Sequence, residues 1–90
     1  MNRKTVCLYV LRALAEAQID GRGMNLATLT AEIRVRKTDV RAAVSALHSE
    51  GCLDVLRMRL TLRGFALGQA LIGERLPELR PEKVAVRAAA

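Results

Sequence analysis

Ninety residues carrying 15 Lys and Arg against 9 Asp and Glu describe one small basic domain with a formal charge of +6 and a pI near 10.4. That balance favours a polyanionic partner, and a chain with one Phe, one Tyr and no Trp must build its core from Leu, Val, Ile and Ala. One histidine, no glycine-rich phosphate loop, no His-Glu-x-x-His and no Cys-x-x-Cys argue against an enzyme, a resident cofactor or a metal centre.

The charge is spread along the chain. Residues 24–63 hold seven cations against four anions, residues 1–23 four against two, and residues 64–90 four against three. The apolar run at residues 6–14 is interrupted by Arg12 and lacks a small-residue cleavage site, so it does not read as a secretory leader. Nothing approaches the roughly 20 apolar residues that span a bilayer. Two cysteines, Cys7 and Cys52, make no disulfide framework. The expectation is a cytoplasmic protein with no membrane contact and no evident small-molecule effector. A chain this short hides only about two-thirds of its unfolded surface. A second copy would bury more, so a homodimer is expected.

The first element is a helix over residues 3–17. Val6, Val10, Leu14 and Ala17 form one stripe that Cys7 and Leu11 widen, and Asn2 or Thr5 is available as its cap. Asp20, Gly21, Arg22 and Gly23 then break the chain. Next, Leu26, Leu29 and Ile33 recur at helical spacing behind Asn25 as cap. Val35 lies in a short connection, and Val40, Val44 and Leu47 make the stripe of a second helix, residues 37–50, with Gly51 at its left-handed stop. This is a helix-turn-helix pattern, whose second helix is the candidate reader of a DNA major groove. Its outer face carries Lys37, Thr38, Arg41, Ala42 and Ser45, with Lys37, Arg41 and Ser45 one turn apart. Small, hydroxylated and cationic side chains of this kind reach base edges and phosphates without obstruction. The plainer reading is a solvated helix face.

Residues 52–55 and 58–61 are two extended runs joined by Leu56 and Arg57. Leu53 and Val55 are expected on one face, Met58 and Leu60 on another. The usual hairpin turn residues are missing. Arg57 and Arg59 are expected at the tip of this 52–61 hairpin, to touch a backbone or minor groove or only to keep an apolar hairpin soluble. Thr61 can cap a last helix running from Leu62 to about Leu76, with Phe65, Leu67, Leu71, Ile72 and Leu76 as its apolar residues. Gly64 and Gly68 leave a groove where another helix can pack closely, and Pro77 is expected to stop the helix. Residues 77–90 read as a tail, disordered or docked on a dimer partner.

The order helix, helix, turn, helix, short hairpin, helix resembles the winged helix-turn-helix domain of prokaryotic transcription regulators. Residues 25–51 are similar to the general pattern of that superfamily. The run Arg59-Leu-Thr-Leu-Arg-Gly64 resembles the Leu-Thr-x-x-Gly junction between wing and helix of MarR-like and PadR-like regulators. The match covers roughly residues 5–75. It implies a mainly α domain with a small β-hairpin, α-α-α-β-β-α, over residues 1–76. It also implies a DNA-binding transcription regulator that takes double-stranded DNA. Such families usually carry Gly at position 34 and Ser or Thr at 36, where this chain has Arg34 and Arg36. Either the second helix starts later with Thr38 as cap, or Arg36 contributes a phosphate contact, with Arg34 beside it. The long terminal helices that build MarR dimers are not expected within these 90 residues.

Three rival readings remain open. One is a winged-helix module that binds a protein instead of DNA. Another is an architectural DNA binder without sequence preference. The third is a metal or redox sensor at His48 and Cys52, four residues apart at a helix end, with Cys7 joining across the fold. Against the last, a helix C-terminus disfavours a thiolate, Cys7 fits as a small core residue, and His48 can serve a local carbonyl.

Overall fold

The computed structural model describes residues 2–79. Four helices, α1 (Arg3–Ile19), α2 (Leu26–Ile33), α3 (Lys37–Ser49) and α4 (Leu62–Leu71), enclose one two-stranded antiparallel ribbon, β1 (Leu53–Asp54) with β2 (Arg59–Leu60). The chain is thus mainly helical with a small β-hairpin between α3 and α4.

Helix α1 is the central post, and α2, α3, α4 and β2 all pack on it. Its stripe is wide because it faces several neighbours at once: Val6, Val10, Leu11, Leu14, Ala15 and Ala17 are all buried. It begins where Asn2 Oδ1 accepts from Lys4 N at 2.9 Å, and it runs two residues beyond the expected end. Leu29 from α2, Val35 from the connection, Val40, Ala43, Val44 and Leu47 from α3, and Cys52, Leu53 and Leu60 from the ribbon complete one core. Each fully buried Leu or Val contributes about 1.5–3 kcal/mol of transfer free energy. Ala43, outside the expected stripe, is fully buried because α1 crosses α3 there.

The ribbon is shorter than its two apolar runs suggest. Pairing is confined to Leu53 with Leu60 and Asp54 with Arg59, extended by Thr61 N donating to Cys52 O at 3.0 Å. Leu53 and Leu60 are therefore cross-strand partners and both are buried, which corrects their expected assignment to different faces. The turn takes four residues, 55–58, not two. Without Asn-Gly or Gly-X, Asp54 Oδ1 accepts from Leu56 N at 3.0 Å, and Met58 supplies the positive φ of 49° that closes the turn.

Thr61 ties ribbon to helix. Its hydroxyl accepts from Gly64 N at 3.2 Å as the α4 cap and donates to Gly51 O at 2.7 Å. The Cys52 carbonyl that receives Thr61 N lies directly against Gly64, so that a β-carbon at 64 would overlap it. One turn on, a β-carbon at Gly68 would stand 2.5 Å from Leu11 O and 2.9 Å from the Ala15 methyl. The groove foreseen at 64 and 68 is thus filled from within the chain, by the ribbon at one glycine and by α1 at the other.

Helix α4 stops at Leu71, not near Leu76. Gly73 takes φ +87° and Glu74 N closes on Leu71 O at 3.0 Å, ending the helix before Pro77 is reached. Residues 72–79 then return along α1. Arg12 Nη1 donates to Glu74 O at 3.4 Å, Tyr9 Oη donates to Pro77 O at 2.5 Å, and Leu79 packs against the core. Of the expected tail, residues 80–90 lie outside the described residues. Among the described residues no helix is long and apolar enough to cross a membrane.

Candidate nucleic-acid interface

The connection between α2 and α3 shapes the site. Asn25 Oδ1 accepts from Thr28 N at 2.8 Å, opening α2 at the expected residue. Helix α2 ends on Arg34 in the left-handed region (φ 64°, ψ 47°), whose N–H bonds to Thr30 O. Left-handed backbone crowds the β-carbon of an L-residue and costs about 1–2 kcal/mol, so this is the position where glycine rests without strain. Val35 then turns inward, 7 % exposed, and fixes both helices to the core.

Helix α3 starts at Lys37 with Arg36 at its N-cap and no side-chain hydrogen bond there, so Thr38 is not the cap. Arg36 Nε instead meets Asp39 Oδ2 at 3.3 Å, an exposed i,i+3 pair that compensates part of its charge and places a carboxylate at the helix N-terminus. Lys37, Thr38, Arg41 and Ser45 are exposed. Ala42 is not on the free face. It is half-buried and lines a small cleft with Arg3, Val6 and Asp39.

Arg34, Lys37 and Arg41 have no ion-pair partner among the described residues. The exposed turn and first two turns of α3 therefore present uncompensated positive charge flanked by two small hydroxyls. Arg3 belongs to the same neighbourhood, because the start of α1 lies beside Asp39 and Ala42. Sequence reading missed it: nothing local to residues 37–45 signals that α1 begins there.

The ribbon arginines form a separate group. Arg57 lies in the turn, 3.9 Å from Asp54 Oδ2, and Arg59 lies in β2 opposite Asp54, not at the tip. Both line a cleft of about 370 Å³ with Gln18, Arg22, Met24 and Met58, bounded by the end of α1 and the loop into α2. Gln18 Oε1 accepts from Leu60 N at 2.7 Å and anchors the outer edge of β2 to α1. Gln18 is half-buried, and its place in the α1 pattern gave no hint of that anchor. Arg22 is compensated by Asp20 at 3.3 Å and Glu32 at 3.5 Å. The candidate residues thus fall into two clusters, one at the α2–α3 corner and one on the ribbon.

His48 Nδ1–H donates to Leu53 O at 2.9 Å, and Cys52 is buried beneath α4. Burial pushes the Cys7 thiol above its ordinary pKa, with Glu50 adding to the rise and Arg3 opposing it. Among the described residues no group of three or more His, Cys, Asp or Glu side chains is placed to hold a metal ion.

Comparison with protein-family models, with curated proteins and with solved structures returns no match.

Proposed function

We propose that this chain is a small winged helix-turn-helix protein that binds double-stranded DNA and acts as a transcription regulator, with α3 entering the major groove. The observation that carries this reading is the cluster of uncompensated cations, Arg34, Lys37 and Arg41, on the exposed turn and N-terminal half of α3, next to Thr38 and Ser45. Arg41 would read a base, since a guanidinium can take guanine O6 and N7 together. Arg34, Arg36 and Lys37 would hold phosphates, and the ribbon with Arg57 and Arg59 would serve as the wing on the backbone or minor groove. A homodimer would place two α3 helices on an inverted repeat.

The test is selection from fragmented genomic DNA at about 150 mM salt with excess competitor, because salt governs the nonspecific contribution. One short recovered motif, above all an inverted repeat, supports a regulator; uniform recovery makes the protein an architectural binder. Recovery of nothing removes the DNA reading.

A second reading rests on its own observation. Leu56 at the ribbon turn is 94 % exposed and Leu62 at the start of α4 is 88 % exposed, and neither contributes to the core. Large exposed leucines suit a protein surface, either a second copy or another partner. Light scattering on the purified chain distinguishes the two: a dimer assigns the leucines to self-association, whereas a monomer leaves them to a different protein.

A further inference from the structure

The cleft of about 370 Å³ beside the ribbon joins two kinds of surface. Its floor and walls are apolar. Leu14 and Ala17 of α1 are each 1 % exposed, and Met24 and Met58 are partly buried against the core. Met58 stands in the left-handed region (φ 49°), where glycine sits freely, yet the chain keeps a long apolar side chain there. Two unbranched thioethers, one from the loop into α2 and one from the ribbon turn, can mould themselves to a linear apolar body. The lining offers methyl and thioether groups and no aromatic ring for a planar ligand to stack on.

The polar rim is more selective than its three arginines suggest. Arg22 is paired with Asp20 and Glu32, and Asp54, the cross-strand neighbour of Arg59, reaches Arg57 instead. Arg59 has no ion-pair partner among the described residues, so the cleft holds one uncompensated cation. One free cation favours one negative charge. A phosphate dianion would bring its second charge toward the carboxylates that already hold Arg22 and Arg57. Gln18 adds a neutral donor. Because Leu60 N–H must meet an oxygen, Gln18 turns Oε1 to it at 2.7 Å, which leaves Nε2 without a hydrogen-bond partner among the described residues.

We infer that this cleft binds an aliphatic monocarboxylate of medium length. Its carboxylate lies on the Arg59 guanidinium and Gln18 Nε2, and its tail on Leu14, Ala17, Met24 and Met58. A guanidinium and an amide N–H together satisfy both carboxylate oxygens. Taking about 30 Å³ per heavy atom, the volume of one liquid water, the cleft holds about twelve, which suits an acid the size of octanoate. The site goes beyond the DNA-binding reading and stands whether or not the ribbon touches a duplex.

The test follows backbone amide and methionine methyl resonances of the full chain, without DNA, as octanoate is added to about 10 mM. That is well above a dissociation constant of about 1 mM. The expected result is a saturable change at Gln18, Met24 and residues 57–59, with residues 37–45 unmoved. Octanol carries the tail without the charge and inorganic phosphate the charge without the tail, so each should bind about tenfold or more weakly. Arg59→Gln should weaken octanoate by about tenfold or more, whereas Arg63→Gln, at an exposed cation on α4, should leave it unchanged. Gln18→Glu keeps an acceptor for Leu60 N and sets a carboxylate against the ligand, so binding should be lost while the urea midpoint holds. Should that variant fold poorly, Arg59→Gln carries the test alone. No saturable change with octanoate overturns the site, and equal binding of octanol or phosphate overturns the ligand class. An equal loss in Arg59→Gln and Arg63→Gln also overturns the site, since it marks general attraction to a basic chain. Failure to select any DNA would sink the proposed function and leave these outcomes as they are.

Discussion

The two sides of α1 are built on opposite terms. On the α4 side, every close approach is met by a residue small enough for it: Gly64 against the Cys52 carbonyl, Gly68 against Leu11 O and Ala15. On the α2–α3 side, the one tight backbone position is occupied by an arginine, Arg34, in left-handed geometry that glycine adopts freely. One side removes side chains to gain contact, while the other retains a cationic side chain in spite of the backbone. The α4 side is organised for stability, and the α2–α3 corner is organised around what its side chains present to solvent. Strained backbone at an exposed, uncompensated cation is the feature that the proposed DNA-binding role would explain.

The comparison can be broken most decisively at Gly64. Gly64→Ala sets a β-carbon against the Cys52 carbonyl and is expected to cost about 3 kcal/mol or more, read as a shift in urea midpoint. Gly68→Ala should cost less, about 1–2 kcal/mol, because the gain in helix propensity offsets part of the clash with α1. If both variants melt like the parent, α4 does not pack as described. On the other side, Arg41→Ala should leave the melting curve in place and lower affinity for a specific duplex by about 1–3 kcal/mol, with specificity relaxed at one base pair. An equal loss on every sequence would reassign Arg41 to a phosphate.

Arg34→Gly sharpens the contrast, because the two readouts should move in opposite directions. Relief of the left-handed arginine should stabilise the fold by about 1 kcal/mol, while loss of the cation weakens DNA binding. A variant both more stable and equally tight would remove Arg34 from the interface. The smallest effect is expected at Arg57→Ala: a uniform weakening by a few tenths of a kcal/mol and a shallower salt slope, since Asp54 already compensates part of its charge. Unchanged affinity and slope would take the ribbon out of the complex.

The helical frame was legible because its signals are local. Asn25, the stripe through Val40, Val44 and Leu47, Val35 in the connection and Gly51 (φ +77°) behave as their types and spacing imply. The pair Gly64 and Gly68 announced a close approach, although not by which neighbour. Long-range contacts were not legible. Gln18 reaching Leu60 N, Ala43 facing α1 and Arg3 joining the α3 neighbourhood depend on residues far apart in sequence. The end of α4 was misplaced because Pro77 is the stronger stop signal in isolation, while Gly73 acts earlier once the chain folds back onto Arg12 and Tyr9. The ribbon turn was misjudged because Asp54 and Met58 do the work that Asn-Gly does elsewhere. For the candidate site, the outer face of α3 could be read from periodicity. The partial burial of Ala42 and the partnering of Arg36 with Asp39 and Arg57 with Asp54 required the fold.

The contrast between the two sides of α1 is tested most directly by following backbone amide resonances of the isotopically labelled chain as a short duplex from the genomic selection is added. The account predicts that the largest changes fall on residues 34–45 and extend to Arg3, while amides around Gly64 and Gly68 hold their positions. Changes concentrated on α4 and around Leu56 and Leu62, with residues 34–45 unmoved, would contradict it.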